Sequence, residues 1–144
     1  MLPDAIALAA IVILLFPMAY FLLAAPAFLL VKLDIPPVAQ LLRGMFSVHF
    51  LMMTIAGVIG TIAFAATGRL GFAIAIGLIA AFAVWARRWF IPLMDAELRA
   101  RDAGDPDAPR RLRRLHWVGM LCNAVLLVAI VGSIPYIDIK FAPT

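Results

Sequence analysis

At 144 residues the chain is the length of one domain, yet 66% of it is hydrophobic, only 14% is charged and its mean hydropathy is strongly positive. A soluble bundle carries a polar face on each helix, whereas here the apolar runs continue all the way round for several turns, which excludes water as the main solvent. The formal charge of +4 would suggest nucleic acid if the basic residues formed a stripe, but they sit between hydrophobic runs, so the expected partner is the lipid bilayer and not nucleic acid.

Crossing about 30 Å of hydrocarbon at 1.5 Å per residue takes roughly 20 apolar residues. Four segments reach that length, so the sequence reads as an all-α, integral membrane four-helix bundle in a single domain, with spans at about 5–31, 38–67, 70–90 and 110–134. The N-terminus carries Asp4 and no Lys or Arg before Lys32, and the first apolar run is too long for the core of a signal peptide, so the first span is expected to be retained. Pro17 and Pro26 each remove a backbone hydrogen bond and predict kinks in it. Asp34 and the Pro36-Pro37 pair mark a short loop, after which the second span runs to Thr67.

The turn Thr67-Gly68-Arg69 is so short that spans two and three must form an antiparallel hairpin. Span three is rich in small residues, including Gly71, Ala75, Gly77 and Ala81, which predict close approach to a neighbouring helix. After Pro92 the chain turns polar through Asp95, Glu97, Arg99, Arg101 and Asp102, then breaks at Gly104-Asp105-Pro106-Asp107-Ala108-Pro109, which reads as one long hydrophilic loop. Span four opens near Arg110 with Asp107 as its expected cap.

Positive residues set the orientation, because cytoplasmic loops retain Lys and Arg in excess. Arg87, Arg88, Arg99, Arg101, Arg110, Arg111, Arg113 and Arg114 lie between spans three and four, Lys32 and Arg43 flank the first loop on the same side, and Arg69 and Lys140 lie opposite. Both termini are therefore expected on the non-cytoplasmic side of a bacterial inner membrane, with Trp85, Trp89 and Trp117 marking the cytoplasmic interface. Arg110, Arg111, Arg113 and Arg114 read as interface anchors that contact lipid headgroups or a partner.

His49 and His116 are the only histidines, and both fall in the cytoplasmic half. By helical rise His49 lies about 9 Å deeper than Arg43, and His116 about 3 Å beyond Arg114. Two readings stay open: the imidazoles hydrogen-bond across helices, or they hold a haem or a metal. Met45, Met52 and Met53 lie three or four residues from His49 and form either ordinary core packing or a soft copper(I)-type ligand face. Asn123 shares a face of span four with His116 and Met120, where a deep amide either clamps a neighbouring helix or contacts a cofactor, with Ser47 and Thr54 as further polar partners. The lone Cys122 can form no intramolecular disulfide, and no span carries an acid pair, a Ser-His-Asp set or a phosphate-cradling glycine loop.

Ala25-Pro26-Ala27-Phe28, Ile35-Pro36-Pro37, Leu42-Arg43-Gly44-Met45-Phe46 with His49-Phe50, then Arg114-Leu115-His116-Trp117 and Leu121-Cys122-Asn123 together form a pattern. It resembles the small four-span family of unknown function related to transmembrane protein 205, and more faintly the anthrone-oxygenase-like proteins. The first resemblance implies a four-span fold and topology. Trp117 and Gly119 depart from it, standing where that family has a small and a hydroxyl residue. The leading expectation is a non-catalytic accessory, assembly or regulatory subunit that packs against another membrane protein or a second copy of itself. The alternatives are a redox or oxygenase-like protein holding haem, quinone or metal through His49 and His116, and an oligomeric small-solute carrier.

Overall fold

The computed structural model describes residues 2–136. Helix α1 (Leu2–Ala24) runs into a short 3-10 segment (Ala25–Leu29), followed by α2 (Pro36–Ala66), α3 (Leu70–Asp102), α4 (Ala108–Ser133) and a closing 3-10 turn (Ile134–Tyr136). All four long helices have the length and apolarity to cross a bilayer. At most 44% of the most apolar window of any of them is buried inside the bundle. The rest of that apolar surface faces outward, where lipid or another protein must cover it. The chain is thus a small multi-pass membrane bundle.

Local chemistry accounts for the breaks. Pro17 is accommodated inside α1, whereas at Pro26 the α-helix gives way to the tighter 3-10 form. Ile35 is extended, as the residue before a proline must be, and its carbonyl receives the amides of Val38 and Ala39 while Pro36 and Pro37 occupy the first turn of α2, where amide donors are not needed. Gly68, at φ +74°, and Gly104, at φ +90°, end α2 and α3 in the same way. In each case the glycine amide and the next amide fold back onto carbonyls of the last turn: Gly68 onto Ala65 and Arg69 onto Phe64, Gly104 onto Arg101 and Asp105 onto Ala100.

Two expectations need correction here. The hydrophilic loop is shorter than the polarity of the sequence implied, because α3 continues through Pro92 to Asp102. Ile91, Met94 and Leu98 recur at helical spacing and are buried against Leu42 and Leu112, and this packing outweighs the single hydrogen bond that Pro92 deletes. At 33 residues, α3 is about 50 Å long and projects well beyond a 30 Å hydrocarbon layer. Asp107 does occupy the cap position of α4, but its side chain accepts no capping bond; instead the Asp105 carboxylate takes the Asp107 amide at 2.9 Å.

The helices stand in a ring in which α1 neighbours α2 and α4, and α3 neighbours the same two. The α2–α3 contact is the most extensive and rests on small residues: a Cβ on Gly57 would lie 2.8 Å from the Ala80 side chain, and one on Gly60 would lie 3.2 Å from Ile76. Of the small residues singled out on span three, Gly77 meets Thr61, but a Cβ on Gly71 would meet nothing and Ala75 and Ala81 point outward. Near the bundle axis Phe46 of α2 reaches across to α4, where its ring edge fills the space a side chain at Gly119 would need. Lys140, expected on the far side, lies outside the described residues.

Candidate functional site

Helix α4 is tied to α1, and to the 3-10 segment and loop that follow it, by polar side chains that reach main-chain carbonyls. Arg113 donates from Nη1 to Leu29 at 2.8 Å and from Nη2 to Val31 at 2.9 Å. One turn further in, His116 Nε2 lies 2.9 Å from the Ala25 carbonyl; a carbonyl can only accept, so this nitrogen carries the proton. Deeper still, Asn123 Nδ2 donates to the Met18 carbonyl at 3.0 Å. The donors ascend α4 as the acceptors run back from the loop through the 3-10 segment into α1, an antiparallel ladder whose two inner rungs, at His116 and Asn123, are buried where no water is an alternative partner. His116 is fully buried and Asn123 is 3% exposed, so both are structural in at least one of their polar atoms.

His49 differs from them. It is 6% exposed, its ring stacks on Phe21 at a centroid distance of 4.2 Å, and it lies against the Pro17 carbonyl. Its Nδ1 is buried without a hydrogen-bond partner, as are His116 Nδ1 and Asn123 Oδ1. A buried polar atom left unpaired costs about 1–3 kcal/mol, so each marks either a retained strain or a place for a ligand atom.

Two cavities distinguish these atoms. A cavity of about 800 Å³ opens between α1 and α2, lined by Phe16, Tyr20, Phe21, Met45, His49 and Met52 among others. A second, of about 240 Å³, opens between α3 and α4 and has α2 as its floor; it is lined by His49, Phe50, Met53, Trp85, Trp89 and Asn123 among others. In the ring of helices these mouths lie on opposite faces of the bundle, and His49 forms part of the wall of both. His116 lines neither.

The histidines therefore share neither of these two cavities. They are linked through rings instead, His49 on Phe21, Phe21 on Phe46 at 4.9 Å and Phe46 edge-on to His116 at 5.8 Å. The methionines divide as well: Met45 and Met52 face the larger cavity with His49, while Met53 faces the smaller one. Among the described residues no group of three or more His, Cys, Asp or Glu is placed to hold a metal ion. Thr54 bonds back to Phe50 of its own helix at 2.8 Å and so does not serve Asn123.

The charged residues collect at the end of the bundle that holds the α1–α2 and α3–α4 connections. Arg43 grips Asp95 with two bonds, at 2.8 and 3.0 Å. Arg111 bridges Glu97 and Asp105, at 2.7 and 2.6 Å, and this guanidinium holds the Asp105 carboxyl below the usual carboxylate range. Of the four arginines expected to meet headgroups, Arg111 and Arg113 thus direct donors into the chain itself, Arg110 lies 3.4 Å from Asp107, and Arg114 is exposed. Trp85 and Trp89 stack in parallel at 6.1 Å on the outer face of α3, where they also border the smaller cavity.

Sequence reading did not single out Phe21, and it met Phe46 and Gly119 only as letters of the resemblance, without a packing role. The first two lie within four residues of Ala25 and His49, and Gly119 stands one turn from His116, but a ring on α2 filling a gap in α4 is a relation no single helix displays. Compared with models of protein families, with curated proteins and with solved structures, the chain matches none.

Proposed function

We propose that this small polytopic membrane protein binds a lipophilic molecule that enters sideways from the bilayer and lodges against His49. The observation that carries this reading is a cavity of about 800 Å³ between α1 and α2, open on the lipid-facing surface and apolar but for a few residues, of which His49 is one. Sites of this kind are mostly apolar with a few placed polar atoms. Between the ligands expected for a redox-type protein, the geometry favours a quinone-sized molecule over a haem held by both histidines, because His116 Nε2 is already bonded to Ala25 and lines neither cavity. In this reading the charged end is cytoplasmic and the membrane is a bacterial inner membrane.

The test is mass spectrometry of what the protein carries. Protein extracted from native membranes into lipid nanodiscs should hold one lipophilic species near one per chain, enriched over empty nanodiscs. A folded His49→Leu variant should lose it. If the wild type shows only bulk bilayer lipid, or if the variant keeps the species, the reading is wrong.

An accessory role beside a membrane partner is a second reading, favoured by one feature. Gly71 and Ala75 sit four residues apart on the outward face of α3, a spacing that lets helix backbones approach closely. Disulfide trapping of Ala75→Cys in membranes, with Cys122 replaced by serine, should then give a discrete cross-linked product; a monomer alone would remove this support.

A further inference from the structure

The geometry points to an anionic phospholipid on the α3–α4 face, one acyl chain seated in the smaller cavity and the phosphate held outside it by Arg114 and Arg110. This face is opposite the α1–α2 cavity and the site does not depend on what that cavity holds. The walls of the smaller cavity, Trp85, Trp89, Val118 and Cys122 among them, present no accessible polar atom, so what enters is hydrocarbon and any polar group of the occupant stays outside. The space of about 240 Å³ falls below the 300–1,000 Å³ or so of sites that enclose a drug-sized molecule, and suits part of a chain.

What lies outside follows from the register of α4. Val118 stands on the rim, Arg114 one turn nearer the charged end and Arg110 one turn beyond that, about 6 and 12 Å along the axis. Trp85 and Trp89 on α3 and Trp117 on α4 are all exposed, as tryptophans at headgroup depth are, and Arg114 lies about a turn outside Trp117. Arg114 is exposed and pairs with no acid among the described residues, while Arg110 meets Asp107 at 3.4 Å and is almost wholly exposed. The acids of α3 and of the turn after it are already engaged: Asp95 by Arg43, Glu97 and Asp105 by Arg111, Asp102 by Arg101 and Asp107 by Arg110. No carboxylate of this region is left to neutralise Arg114. Two like charges one turn apart repel, so the pair does not help α4 form. A phosphate between them offsets that repulsion, and its oxygens match the donor fork of a guanidinium.

The experiment is native mass spectrometry of the full chain in detergent, supplied with phosphatidylglycerol, phosphatidylcholine or glycerol phosphate. One phosphatidylglycerol should stay on each chain, bound about ten-fold or more tightly than phosphatidylcholine, whose phosphate carries its own counter-charge; glycerol phosphate, a headgroup without chains, should not bind. Arg110→Gln with Arg114→Gln should abolish the preference. Lys32→Gln with Arg99→Gln removes the same charge from exposed positions at the same end and should preserve it. Cys122→Trp, which fills the cavity, should lower retention of both lipids. No preference in the wild type, or equal loss in the two double variants, overturns the arginine site and reduces it to diffuse attraction by a basic end. Glycerol phosphate bound as tightly as the lipid, or undiminished retention by Cys122→Trp, overturns the seating of the chain.

Discussion

Gly119 holds its place on α4 because a phenylalanine ring from α2 occupies the space where its side chain would be. We expect Gly119→Ala to destabilise the bundle by about 1–3 kcal/mol, the usual result of forcing a carbon into a packed core, as measured by reversible unfolding in detergent. Gly44, also on α2, provides the control: a Cβ there meets nothing, so Gly44→Ala should leave stability unchanged or raise it by up to about 1 kcal/mol through helix propensity. At this scale the sequence was partly legible. His49 and Asn123 stood out because an imidazole and an amide in an apolar helix must have a reason to be there, and both line the smaller cavity. The separation of His49 from His116 was not legible, because lying in the same half of the membrane says nothing about which way each ring turns. The distinction came from the Ala25 carbonyl, an acceptor that carries no side-chain signature.

The helices themselves were the most legible part, since span length and apolar continuity follow directly from bilayer thickness. Their ends followed at Gly68, where glycine supplies the left-handed residue of the expected turn, and failed in α3, where proline and charge together suggested a loop well before Gly104. The twelve residues from Ile91 to Asp102 are helical because a narrow apolar stripe of Ile91, Met94 and Leu98 remains when most other positions have turned polar. Spin labels placed singly at positions 93–102 should therefore show solvent accessibility oscillating with a period near 3.6 residues. Uniformly high accessibility would mean a loop. The same stretch brings Asp95 to Arg43 and Glu97 to Arg111, so its helical form is a condition for the ion pairs at this end of the bundle.

For the whole molecule, the concentration of charge at one end predicts an orientation and a pH response. With Cys122 replaced by serine, Thr67→Cys should react with an impermeant thiol reagent on intact cells, and Ala103→Cys only after permeabilisation; the reverse pattern would invert the topology. The Asp105 carboxyl is held low by Arg111, so its contribution to fastening the α3–α4 connection onto α4 is complete above the ordinary carboxylate value and is lost as pH falls through its lowered one. The melting difference between wild type and Asp105→Asn should thus be constant at neutral pH and vanish in acid. The ladder between α4 and α1 has a different implication, one for tolerance to change. Its donors are side chains but its acceptors are main-chain carbonyls, which every residue possesses. The specification of this helix pair is one-sided: Arg113, His116 and Asn123 are written in letters, while α1 is read without regard to its letters except for their size. Saturation mutagenesis should find the two partners unequal, with α1 accepting any apolar residue that fits and α4 rejecting the loss of its donors.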